Sequence, residues 1–279
     1  MIVEKLMSKK PTTIKVPNRR REVIAQLVKH HKTGMPVLDK TGKVVGLITR
    51  KMMFENPGEE QLALLMRGKP VIVSPTAKVE KAARLMSENQ IFLVPVVKNN
   101  KLVGVITPSD ILHVLIERKI ERSVEDFITK PCVPVYKDTS LMAAASIIKI
   151  TKILSLPVLN TNGALCGLIT DRDIYNLSYV NEKTALTEMG ISGDEDDWTW
   201  EGLRNIIPLY FEEAKLELPP IAVKEIMIMD PETVYQKTSV KKAANMMLKN
   251  DYGQLPIRDE DDKLVSMVYD IDIIRALYE

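Results

Sequence analysis

Thr170, Arg172 and Asp173 stand within four residues of one another in Gly167–Ile174, which reads GLITDRDI. A hydroxyl, a guanidinium and a carboxylate spaced like this can do one of two things. They can open a helix, the threonine as N-cap and the acid three residues on reaching back to the N-cap amide. Asp fits that box less well than the longer Glu or Gln, yet near the positive end of a helix it still gains about 0.3–1 kcal/mol. Or they can cradle a polar group from outside the chain, since a carboxylate accepts charge-assisted bonds from hydroxyls and a guanidinium donates to anions.

Covalent and metal chemistry find little material. The three histidines (His30, His31, His113) and two cysteines (Cys132, Cys166) are scattered, leaving no nucleophile–histidine pair and no zinc set. Lone aspartates at helix starts are poor evidence for acid–base catalysis. The chain reads as a binding protein and not an enzyme.

The stretch recurs. Gly46 opens GLITRKMM, Gly104 opens GVITPSDI, and Ser266 opens SMVYDIDI. Each octet follows an apolar–proline–apolar strand, at Pro36, Pro95, Pro157 and Pro256, by nine or ten residues. Sixteen residues before each proline, at Arg20, Val79, Leu141 and Val240, begins an apolar stripe of period 3.6: Val23/Ile24/Leu27, Ala82/Ala83/Met86, Ala144/Ala145/Ile148 and Ala243/Ala244/Met247. Thr76, Thr139/Ser140 and Thr238/Ser239 mark the helix starts. A β-leaning stretch precedes each helix (TTIKV, VIVSP, CVPVY, ETVYQ), and polar turns join the later strands. The unit is therefore strand–helix–strand–strand–helix, about 60 residues long, an α+β element too small to bury a comfortable core alone.

Four such units predict two modules, residues 1–122 with copies one and two and residues 123–279 with copies three and four. A helical insert at about 181–222 carries Trp198 and Trp200, read as staples on the second module or as a docking element. The formal net charge of +2, from 39 basic and 37 acidic residues, and 5% aromatic content argue against nucleic acid as partner. The run Asn18–Arg19–Arg20–Arg21 reads as a solvated helix start. No apolar run reaches the roughly 20 residues of a membrane helix, no signal-peptide pattern opens the chain, and the cysteines suit reduced core thiols; a cytoplasmic protein is expected.

The repeated PVL…GLITDRDI after an Ala-rich helix resembles the CBS domain, and four copies look like two tandem CBS pairs with internal pseudo-twofold symmetry, a layout similar to the gamma subunit of AMP-activated protein kinase. The resemblance implies an adenosyl ligand (AMP, ADP, ATP or S-adenosylmethionine) as regulatory ligand in clefts between copies, with ligand state passed to a protein partner or a homodimer. An adenine wants aliphatic walls and a ribose diol wants one ionised carboxylate. In copy three, Val133, Val135 and Pro157 would wall the base, Thr170 and Arg172 would meet phosphate, and Asp173 the ribose. Copy two would use Ile72, Val73, Thr107 and Asp110. Copy four keeps Asp272 but places Tyr269 at the threonine position, so a ribose could bind there while phosphate contact weakens; copy one has Thr49 with Met52 in the aspartate position, so its site is expected to be empty or altered. In the kinase gamma subunits basic residues precede the Leu-Pro-Val strand; here those places read Thr33–Gly34, Phe92–Leu93, Leu154–Ser155 and Gly253–Gln254, with Arg50, Lys149, Lys152 and Arg172 as substitutes. That favours AMP, ADP or S-adenosylmethionine over ATP. The alternatives are a scaffold without nucleotide or a nucleic-acid binder.

Overall fold

The computed structural model describes residues 1–30, 32–56, 58–174, 177 and 218–279. The expected insert, its acidic run and both tryptophans lie outside the described residues, apart from the returning segment at Leu218–Ala222.

Each copy builds the expected unit. In copy one, Ile14–Lys15 runs parallel to Gly34–Leu38, which pairs antiparallel with Val44–Thr49. Copy three repeats this with Val135–Tyr136, Ser155–Leu159 and Leu165–Thr170, and copy four with Val234–Tyr235, Gln254–Arg258 and Leu264–Tyr269. Copy two pairs Val94–Lys98 with Lys101–Ile106, and its first strand shrinks to a single bridge from Val73 to Val96. The register slips after the residue that follows the proline in all four, at Val37, Val96, Val158 and Ile257. In copies one, three and four the turn that follows is held alike: Asp39, Asn160 and Asp259 accept backbone N–H bonds from residues two and four positions on.

The first helices are Arg20–Lys29, Val79–Asn89, Leu141–Thr151 and Val240–Asn250, and each buries the predicted stripe. Ser140 and Ser239 cap theirs through Ala143 and Lys242 amides. Thr76 does not cap; it bonds Ser74, and Lys78 holds the N-cap position of copy two. Arg20 also departs from the solvated reading. It is buried, and its Nη1 donates to the carbonyls of Met53 and Asn56, tying the end of copy one's second helix to the start of its first.

The contacts between copies were not foreseen. The short segment before each copy, its leader, packs on a neighbouring copy. Val3–Lys5 docks on copy two, where Val3 N–H reaches the Ala77 carbonyl, while Leu62–Leu65 docks on copy one beside Asn18. Val124–Phe127 docks on copy four and Val223–Glu225 on copy three, through Thr238 and Thr139 carbonyls. Copies one and two thus exchange leaders, as do three and four. The helices of copies two and four pack face to face around one shared core that includes Met86, Leu112, Met247 and Ile274, whereas copies one and three keep separate cores.

Candidate functional site

The octet of each copy ends a strand and opens a helix, which places the threonine of copies one, two and three at the N-cap and the aspartate of copies two, three and four at the third helical position. In copy three, Asp173 Oδ2 accepts from the Thr170 amide at 2.9 Å and from its hydroxyl at 2.7 Å. The Asp173 amide returns a long bond of 3.4 Å to Thr170 Oγ1. In copy two, Asp110 Oδ2 accepts from the Thr107 amide and hydroxyl at 2.8 and 2.9 Å. The caps are therefore real, but each uses one carboxylate oxygen. The other oxygen bonds no described residue.

The remaining candidates are placed unevenly. Pro157 and Val135 are buried in copy three's strands with Val133 half-buried beside them, and Arg172 is exposed. In copy two Val73 is buried and hydrogen-bonded through its backbone to Pro95 and Val97, while Ile72 is exposed. In copy one Thr49 caps the Met52 amide at 3.3 Å, and Met52 packs on the copy-one core.

Asp272 departs from the expectation. It is 2% exposed and its Oδ1 accepts from Thr129 Oγ1 at 2.9 Å. Its deep burial and its bond to Thr129 set it apart from the half-buried Asp110 and Asp173. Burial pushes the Asp272 carboxyl above the ordinary carboxylate range, with Lys130, Thr129 and Arg275 opposing. Asp110 is raised for the same reason, against the Thr107 bonds and the charges of His113 and Lys32.

Several groups escaped the sequence reading. Lys32 lies just ahead of the Thr33–Gly34 pair, and its charge reaches Asp110 of copy two. Asp171 and Asp270 follow the threonine position in copies three and four. Burial lifts Asp171 to about 6 against the charges of Arg172, Lys51 and Arg50. It lifts Asp270 to about 7, helped by Asp272 and opposed by the Ile271 amide and Lys130. Asp171 shares a cavity of about 10 Å³ with Arg50, Lys51, Glu55 and Lys149, where copies one and three meet; that is room for about one water. Among the described residues no cluster of His, Cys, Asp or Glu could hold a metal ion, and no helix is long and apolar enough to cross a membrane. Cys132 and Cys166 are free thiols.

Comparison with known proteins decides the family. The CBS-domain family matches residues 3–57, 61–117, 124–179 and 223–279. The chain belongs to the CBS-domain family. Its four CBS copies are similar over almost their whole length to protein MJ1225 of Methanocaldococcus jannaschii, with 24% identity over 291 residues, 96% of this chain and 95% of that one. The crystal structure of MJ1225, proposed as an archaeal homolog of g-AMPK, superposes with a TM-score of 0.77 at 20% identity, covering 99% and 100% of the two chains. A 17.7 kDa protein of Acidianus ambivalens is 33% identical over 107 residues, 38% of this chain and 65% of that one. Inosine-5'-monophosphate dehydrogenase of Korarchaeum cryptofilum is 36% identical over 105 residues, which are 38% of this chain and 21% of that enzyme.

Proposed function

We propose that the chain is a non-catalytic sensor: a CBS copy binds an adenosyl ligand, and the relative orientation of the copies carries its presence to a protein partner. Residues 1–122 and 123–279 act as the two modules, joined internally by their exchanged leaders. The observation that carries this reading is the half-used carboxylate of Asp173. One oxygen is committed to the Thr170 cap, which fixes the side chain, and the other is left for a sugar hydroxyl. Preorganisation of that kind lowers the ordering cost of binding. Val133, Val135 and Pro157 supply apolar walls, Arg172 supplies an exposed cation, and Thr107 with Asp110 repeats the pattern beside Lys32 in copy two.

A ligand shifts the orientation of two copies only through its differential affinity for the two states. The exchanged leaders give such coupling a route, because a leader that moves at one copy belongs to the next. Two free thiols and near-neutral charge fit a reducing compartment, the cytoplasm, and a partner other than nucleic acid.

A scaffold without nucleotide is favoured by one observation, the burial of Asp272 under Thr129. Calorimetric titration of the full chain with AMP, ADP, ATP and S-adenosylmethionine separates the readings. Saturable binding of AMP, ADP or S-adenosylmethionine, reduced by one equivalent on Asp173→Ala, supports the sensor. Absence of binding by all four supports the scaffold, and a wide preference for ATP overturns the expected ligand order.

A further inference from the structure

Copy four differs from the other three at the threonine position, where Tyr269 stands. Its side chain is 3% exposed, and its phenol oxygen accepts from Ser155 Oγ at 3.3 Å. Ser155 begins the proline strand of copy three and is the cross-strand partner of Thr170. The tyrosine therefore spans from the copy-four octet to the strand edge on which the copy-three octet rests. Over its ring lies the ammonium of Lys130, 4.7 Å from the centroid, a cation–π arrangement. Next to Lys130, Thr129 donates its hydroxyl to Asp272. Both residues come from the leader of copy three.

These three side chains gather around Asp272, the one group of the Thr-x-x-Asp pair that copy four keeps. The Thr129 hydroxyl meets the aspartate as a sugar hydroxyl would, and the Tyr269 ring stands where the other copies keep a small hydroxyl. We propose that Tyr269, Thr129 and Lys130 form a built-in plug that closes the copy-four site, so that the second module takes a single adenosyl ligand, at copy three. This rests on the adenosyl reading above and names where in that module the reading applies. The consequence is asymmetry: the two halves of the module are alike in fold, and only one half reports ligand.

The test counts equivalents bound to the full chain, with AMP and S-adenosylmethionine as probes in calorimetry. Tyr269→Thr restores the small hydroxyl and is expected to bind one equivalent more than the unsubstituted chain, with Asp272→Asn removing that added equivalent. In the unsubstituted background, Asp272→Asn is expected to leave the count unchanged while Asp173→Ala lowers it by one. A folded Tyr269→Thr chain, by circular dichroism and melting, with an unchanged count for both probes overturns the plug. So does a fall in the count on Asp272→Asn alone, a measurement that needs no change at Tyr269. Should the unsubstituted chain bind neither probe, the sensor reading fails by itself; the plug then stands only if Tyr269→Thr acquires a site that Asp272→Asn abolishes.

Discussion

The thioether of Met7 lies over Gly104, its sulfur 2.8 Å from where a β-carbon on that glycine would stand, with the Ser8 carbonyl oxygen at 2.9 Å. Met66 covers Gly46 in the same way and Met227 covers Gly167. In each case the methionine belongs to the leader of the neighbouring copy, so the octet glycine is the hole and the leader supplies the knob. In copy four the hole is narrowed to Ser266, and the leader residue in register is the shorter Ile128. Gly104→Ala should therefore destabilise the chain by about 1–3 kcal/mol, the usual effect of overfilling a packed site, because a backbone oxygen as well as the flexible Met7 blocks the new methyl. Urea unfolding measures it, and Met7→Ala in the same background should recover only part of the loss.

Copies two and four meet differently from copies one and three. Copies two and four share a core, in which Leu112 is fully buried, and Arg84 stacks over Tyr278 at 5.0 Å. Copies one and three are linked by the Lys152–Glu55 ion pair, at 2.9 Å with the lysine largely exposed. Leu112→Ala should cost about 2–5 kcal/mol, a transfer loss plus a cavity. Glu55→Gln should cost under about 1 kcal/mol, the usual ceiling for an exposed pair. Melting curves of the two variants decide whether the two contacts are as unequal as this.

The repeat made the unit legible. Four proline strands, four octets and four apolar stripes specify strand–helix–strand–strand–helix without ambiguity, because the periods 2 and 3.6 appear in fixed order. The leader exchange was not legible from those patterns. Met7, Met66 and Met227 each look like an isolated apolar residue before a strand, and only their common distance ahead of each unit ties them to the octet glycine of another copy. The site was half legible. Thr-x-x-Asp announced both a cap and a binding group; the structure shows the cap, made through one carboxylate oxygen in copies two and three. What Asp272 meets depends on Thr129, 143 residues away, a contact made by chain topology that local spacing does not encode.

The cap that Asp173 makes and the ligand contact proposed for it can be tested separately. Asp173→Asn retains an acceptor for the Thr170 amide but removes the charge that strengthens a bond to a ribose hydroxyl. A charge-assisted hydrogen bond contributes about 1.5–3 kcal/mol, so the Kd of the copy-three ligand should rise by about 10- to 100-fold. The helix start keeps most of its cap, and stability should fall by no more than about 1 kcal/mol. Asp173→Ala loses both. Calorimetry and urea unfolding on the two variants check this, and an unchanged affinity in Asp173→Asn would mean that the charge does not meet the ligand.

Asp270 should set the pH dependence of stability. Its carboxyl is held near 7, far above its ordinary value of 3.8, by burial and by neighbouring Asp272, with Lys130 and the Ile271 amide opposing. Asp171, near 6, acts in the same direction against Arg50, Lys51 and Arg172. For an acid whose pKa is raised on folding, the native state binds more protons than the unfolded chain between the two values. Stability should therefore be greatest at the acid end of that window and fall as pH rises from about 4 to about 7, at about 1.4 kcal/mol per unit of displacement for a group that remains fully shielded. Above pH 7 this contribution is flat. Asp270→Asn replaces the carboxyl with a neutral group of the same size, so it should flatten most of the slope and leave the variant more stable than the unsubstituted chain at pH 8. Urea midpoints at half-unit steps from pH 4.5 to 8.5 measure both effects. Parallel curves for the two proteins would mean that Asp270 ionises freely, through a water path that its buried place beside Gly253 and Ile271 does not offer.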